Sequence, residues 1–179
     1  MPDNAFDNIK IGDNAPKIIN AVVEIPKGTH NKYEYDEDLD VFKLDRVLHS
    51  PLHYPADYGF IPKTRASDGD HLDIMIIGGD PTFTSCVVRA RPIGLMEMYD
   101  DGEKDFKIFS VQVDNTRMDN VRDLKDLQSY NPHFLEEAAH FFEAYKHLEG
   151  KEVEIKDWRD KEKAYEEIEK AIENYKKNG

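Results

Sequence analysis

Three carboxylates fall within six residues of this chain, in Asp68-Gly-Asp-His-Leu-Asp73. Carboxylates that close repel one another unless a cation joins them, and hard oxygen donors of this kind suit Mg²⁺, Mn²⁺ or Ca²⁺. The apolar run Ile74-Met-Ile-Ile77 follows at once and Gly78-Gly-Asp-Pro81 closes it. The stretch therefore reads as a loop feeding a short buried strand, with a turn at the far end. Within that strand Asp73 points to the face opposite Leu72 and Ile74. Asp68 and Asp70 sit in the loop, where the backbone can aim both at one point. An EF-hand calcium loop fits poorly, because its oxygen donor and its Gly would fall on Leu72 and Asp73. Asp-Gly is also ordinary turn chemistry, so a solvated acidic turn remains open at this point.

A second acidic segment, Asp100-Asp-Gly-Glu-Lys-Asp105, runs into the apolar strand Lys107-Ile-Phe-Ser-Val-Gln-Val113. Alone it reads as a charged hairpin turn. His49 and His53 have the spacing of a helical metal pair, but Pro51 between them argues against a helix and against ligation. His133, His140 and His147 recur every seventh residue, which on a straight helix separates neighbours by about 10.5 Å, too far to share a metal. They read as a surface or subunit-contact stripe.

The elements that must position these groups follow from pattern. Ile18–Ile25 is the first strand, stopped by Pro26-Lys-Gly28. Lys32–Tyr35 and Val41–Leu44, joined by the acidic turn Asp36–Asp40, read as a β-hairpin whose first strand puts Lys32 and Glu34 on one face. Residues 45–65 are dense in prolines and aromatics without a period, as in an ordered loop. Thr84–Met98 reads as one long or two consecutive strands broken by Pro92 and Gly94, and Lys151–Lys156 as a short strand. Asn131-Pro132 opens a helix whose apolar stripe is Phe134, Ala138, Phe141, Tyr145 and Leu148, with Gly150 as its stop. A last helix, from about Asp160 to Lys177, carries Ala164, Ile168, Ala171 and Tyr175 on one face. Residues 1–17 are polar and read as surface. Strands first and helices last make an α+β pattern: a small antiparallel barrel or curled sheet packed by one or two helices, expected as one domain over residues 1–179.

Composition limits the function classes. The 179 residues are 39% hydrophobic and 34% charged, as in an ordinary soluble globular protein. No apolar run approaches a membrane span, and Met1–Asp7 lacks the basic and apolar regions of a signal peptide. Cys86 is the single cysteine, so no internal disulfide forms; it reads as a small buried side chain in a reducing, intracellular setting. The net charge of −13 repels nucleic acid and anionic membrane, and it also repels phosphates. An acidic protein that handles phosphates needs bound cations or a local Lys/Arg cluster to invert the sign.

The Asp68–Asp73 stretch resembles the Asp-x-Asp-x-x-Asp signature of the family I soluble inorganic pyrophosphatases. Further blocks resemble the family in family order: Val23-Glu-Ile-Pro26, Asn31-Lys-Tyr-Glu34, Asp45-Arg46, Tyr54-Pro-x-x-Tyr-Gly59, Arg91-Pro-Ile-Gly94, Asp100 through Lys107, and His140-Phe-Phe-x-x-Tyr-Lys146. The length is similar to that of the compact prokaryotic branch. The resemblance implies a five-stranded OB-like antiparallel barrel with two flanking helices toward the C-terminus. It implies Mg²⁺-dependent hydrolysis of pyrophosphate to two orthophosphates, in the cytoplasm, by a homo-oligomer, a hexamer in prokaryotic relatives. Carried over residue by residue, Asp68, Asp73 and Asp105 would hold the metals that activate water, with Asp70 the general base. Asp100, again with Asp105, would hold metals that arrive with substrate, and Glu24 and Glu34 would act through metal-bound water. Lys32, Arg46, Tyr58, Lys107, Tyr145 and Lys146 would bind phosphate oxygens.

His71 departs from the family pattern, which has Pro there. Pro fixes φ and stiffens a loop, so His71 loosens it as a tolerated replacement. Alternatively, among carboxylates, its pKa rises or it shifts preference toward a softer metal such as Mn²⁺ or Zn²⁺. Three other functions fit the sequence less well. An OB-type module for single-stranded nucleic acid conflicts with the charge and lacks a basic groove interleaved with aromatics. A relative that has lost catalysis conflicts with the presence of every ligand type. Hydrolysis of nucleoside triphosphates finds no Walker-type glycine loop.

Overall fold

Strands form where apolar side chains serve two cores at once. In the computed structural model, which describes residues 5, 6 and 8–178, the strand Leu72–Ile77 shows this directly: Leu72, Ile74 and Ile76 enter one buried cluster, Met75 and Ile77 the other. Asp73 falls between the latter and Leu72, on the Met75 face, as its position in the alternation requires. The strands in chain order are β1 (Ile19–Ile25), β2 (Asn31–Asp36), β3 (Val41–Val47), β4 (Asp57–Ile61), β5 (Leu72–Ile77), β6 (Val87–Asp100), β7 (Glu103–Lys104), β8 (Lys107–Gln112) and β9 (Val153–Arg159). The helices are α1 (Leu124–Tyr130), α2 (Phe134–Ala144) and α3 (Lys161–Asn178).

Five strands close into a ring in the order β1-β4-β5-β8-β6, with β6 returning to β1. Strands β7 and β9 extend it from β6, and β2–β3 is a separate hairpin, as expected from its sequence. The ring is not wholly antiparallel as expected: β5 and β8 run parallel, with Ile74 opposite Ile108. The long strand β6 runs unbroken through Pro92 and Gly94, absorbing them in a register shift against β8. One cluster packs the ring against α3 through Ala164, Ile168 and Ala171; the other packs it against α1, α2 and β9.

Several boundaries differ from expectation, each for a local reason. Residues 45–65 contain a buried strand, β4, flanked by Pro55 and Pro62. A third helix, α1, starts at Asp123, whose side chain accepts the Asp126 N–H. Asn131 closes α1 at its C-terminal cap and does not open the next helix; α2 begins after His133. That helix ends at Ala144, so Leu148 and His147 lie in a 3₁₀ turn, Leu148 exposed, and the three histidines do not share one helix side. Cys86 is half-buried, not enclosed. Met1 to Asp7 lies outside the described residues apart from Ala5 and Phe6. Among the described residues no helix is long and apolar enough to cross a membrane.

Candidate active site

The parallel β5–β8 register sets Asp73 beside Lys107 on one face of the ring. Lys107 is only 3 % exposed. Its Nζ donates to Asp73 Oδ2 at 2.5 Å and to Asp105 Oδ1 at 2.7 Å. Beneath it lie the rings of Tyr58 and Phe142, with centroids 5.6 and 5.9 Å away. Burial alone would lower the lysine pKa, but Asp73, Tyr58 and Asp105 outweigh it and hold the ammonium charged well above the ordinary range.

A cavity of about 560 Å³ opens over this group. Its walls bring together Glu24, Lys32, Glu34, Tyr58, Asp68, Asp70, Asp73, Asp105, Lys107, Tyr145 and Lys146. These come from β1, β2, β4, the β4–β5 loop, β5, the β7–β8 turn, β8 and the segment just after α2, so the ring, the hairpin and the C-terminal region all supply side chains. Asp36, Glu37, Asp38 and His71 also line it. Nine carboxylates against three lysines make the wall strongly negative, so it repels an anion unless cations are bound.

The electrostatics record the crowding. Burial and the neighbouring charges of Asp68, Asp73, Glu34 and Glu37 hold Asp70 above the usual carboxylate range. Burial also raises Asp105, reinforced by Asp73 and Asp100 although Lys107 pulls the other way. Burial pushes Glu24 up to about 8, against the Tyr35 N–H that donates to its Oε1 at 2.8 Å. A divalent cation among these groups would relieve their repulsion, so the donor set fits a hard metal in type and charge. As the side chains stand, no group of three or more among the described residues forms a ready metal cage. Lys107 holds both Asp73 and Asp105, and these carboxylates would have to turn from it to take a cation.

Two predicted residues stand beside the cavity. Asp100, at the end of β6, lines an adjoining cavity of about 360 Å³ with Asp68, Asp101 and Asp105, and it pairs with Lys146. Arg46 lies behind Lys32: its Nη1 is 2.5 Å from Asp45 Oδ2 and its Nε 2.6 Å from Glu149 Oε1. The guanidinium is thus held between the carboxylates of Asp45 and Glu149. Glu149 carries no signal in the sequence: it stands 103 residues from Arg46 in a 3₁₀ turn, and no spacing pattern links them. Lys32 pairs with Glu34 and reaches Asp45 at 3.7 Å. Tyr58 and Tyr145 are buried phenols, and burial raises both well above the ordinary tyrosine value, so each stays a neutral donor.

Residues 21–176 match the family described as inorganic pyrophosphatase. The chain is 48% identical over 176 residues to the inorganic pyrophosphatase of Haloferax volcanii, covering 98% of each chain. It is 49% identical over 159 residues to that of Geobacillus stearothermophilus, covering 89% of this chain and 94% of the relative. Its fold matches the crystal structure of inorganic pyrophosphatase from Thermus thermophilus with a TM-score of 0.91 at 41% identity, over 96% of this chain and 98% of the other.

Proposed function

The chain belongs to the inorganic pyrophosphatase family and is an inorganic diphosphatase, and from that premise we propose that it works with Mg²⁺, with Asp70 as general base. Supporting this is the shared wall of nine carboxylates and three lysines around one cavity, a charge pattern that suits cations first and a small anion second.

Asp68, Asp73 and Asp105 would hold the cations nearest the attacking water, Asp100 with Asp105 those that enter with substrate, and Glu24 and Glu34 would act through water. The chemistry a bound divalent cation supplies is neutralisation of the substrate's oxygens and acidification of the attacking water. Mn²⁺ or Zn²⁺ would substitute. Asp70 stands in the same loop as Asp68, whose Oδ1 accepts the Asp70 N–H at 3.0 Å. Unlike Asp73, Asp100 and Asp105, its carboxylate is paired with no lysine or arginine among the described residues, which leaves it able to accept a proton. Lys32, Arg46, Lys107 and Lys146 would stabilise charge on the departing phosphate, while Tyr58 and Tyr145 aim oxygens without adding charge. Fixed charges matter most here because phosphoryl transfer asks for positioning and electrostatics.

We further take residues 1–179 as one domain with an OB-like ring, located in the cytoplasm and assembled as a homohexamer that binds neither nucleic acid nor membrane. The closed five-strand ring supports the OB-like reading, and exposed Leu44, Val47 and Leu148 support association between copies. Phosphate release is the direct test. Pyrophosphate with Mg²⁺ gives rapid release, ATP gives little, and EDTA abolishes it; equal rates on ATP, or activity that survives EDTA, would reject the assignment.

A further inference from the structure

The β2–β3 hairpin supplies Lys32 and Glu34 to the cavity, yet it forms its own two-stranded sheet. Val41, Leu44 and Val47 on β3 are exposed, and every residue of β2 is only partly buried. Tyr35 stacks on Phe60 of β4 at 5.9 Å and its N–H donates to Glu24 Oε1 of β1, which seats the hairpin on the ring; a two-stranded ribbon is marginal in water, so the turn beyond these contacts frays unless held.

Its tip is held across space by the loop that carries Asp68 and Asp70. Arg65 Nη1 and Nη2 donate to Glu37 Oε1 and Oε2 at 3.0 and 3.1 Å, a two-pronged pair. His71 Nε2 lies 2.9 Å from the same Glu37 Oε1, and its Nδ1 2.9 Å from the Thr64 carbonyl. The His71 ring stacks on Phe60 at 4.8 Å and 13°. Arg65 is itself anchored on α3. Its N–H donates to the Ala171 carbonyl at 2.9 Å, its carbonyl accepts from Asn174 Nδ2 at 3.3 Å, and its guanidinium lies 5.5 Å from the Tyr175 ring centroid. An isolated surface pair contributes little because two long side chains must be ordered. Here the arginine is already ordered and its fork matches the carboxylate, so most of that cost is absent.

Resting on the pyrophosphatase reading, we propose that Glu37, Arg65 and His71 form a clasp that positions the β2–β3 hairpin over the catalytic cavity. They are positioning residues: they act through the hairpin, keeping Lys32 and Glu34 opposite the Asp68–Asp73 loop. His71 thereby braces the loop through contacts that a proline could not make.

The test pairs steady-state kinetics on magnesium pyrophosphate with amide hydrogen exchange of residues 31–47 in protein without added metal. Glu37→Ala raises KM about fivefold and speeds hairpin exchange by a similar factor, with kcat within about twofold. Arg65→Lys, which keeps the charge but loses the fork, falls between wild type and Glu37→Ala. Arg89→Ala, which breaks an exposed 2.8 Å pair with Asp114 elsewhere on the surface, leaves both readouts unchanged. Unchanged KM and exchange in Glu37→Ala beside an active wild type would overturn the clasp alone. So would a loss of kcat at unchanged KM and exchange. A wild type that released no phosphate would instead overturn the functional reading and the proposal with it.

Discussion

Lys107 and Asp73 meet at 2.5 Å across two parallel strands, a buried cation clasped by a carboxylate that the proposed chemistry needs for a metal. Removing one partner of a buried pair leaves the other uncompensated. Lys107→Met therefore destabilises the protein in EDTA by about 3 kcal/mol. Added Mg²⁺ raises the variant's Tm by more than it raises the wild type's, because Asp73 and Asp105 no longer have to leave a lysine. Thermal unfolding with and without Mg²⁺ checks both statements, and an Mg²⁺ response no larger than wild type would count against the competition.

Tyr145 stacks on Phe141 with centroids 5.1 Å apart, so Tyr145→Phe keeps the packing and removes one hydroxyl. The variant unfolds within about 0.5 kcal/mol of wild type, while turnover of pyrophosphate falls about tenfold through loss of one phosphate donor. A variant of full activity would remove Tyr145 from the substrate contacts.

Gly59 lies opposite Val23 where β4 pairs with β1. A Cβ there would sit 1.9 Å from the Val22 carbonyl oxygen, and neither backbone can yield without opening the ring beside Tyr58. Gly59→Ala costs at least about 3 kcal/mol in chemical denaturation. A neutral substitution would show the ring to be more pliable than its register implies.

Glu167 on α3 lies 3.1 Å from Lys163 and 2.9 Å from Lys170. Burial pushes its carboxyl up, but hydrogen bonds from Lys170 and Lys163 outweigh it and leave the group below the usual value of 4.5. A depressed folded-state pKa stabilises above the unfolded value and loses that stabilisation as pH falls through the folded one. Glu167→Gln is thus less stable than wild type at pH 7, by about 0.5 kcal/mol. The gap closes as pH falls below the ordinary value of 4.5 and through the lower folded one. Paired melts at pH 7 and pH 3 read this directly, and a gap that widens in acid would reverse the sign.

Much of the site was legible because alternation fixes faces. Asp73 opposite Leu72 and Ile74 needed only the two-residue period of a strand. That Lys107 would stand beside it was not, because local sequence says nothing of which strand neighbours which or in which direction. Strand β4 is not legible in the sequence because five residues between two prolines carry no readable period. Helix α1 is not legible either, because seven residues with a single buried position, Leu127, show no stripe. Arg46 with Glu149 and Arg65 with Glu37 join parts of the chain that only the closed ring brings together.

The central claim is that Asp70 takes the proton from the attacking water. Asp70→Asn keeps size and loop hydrogen bonding but cannot accept that proton. With saturating Mg²⁺ pyrophosphate, kcat falls about 10²-fold or more while KM changes little. A variant that retains wild-type kcat would contradict the account, because the base would then lie elsewhere.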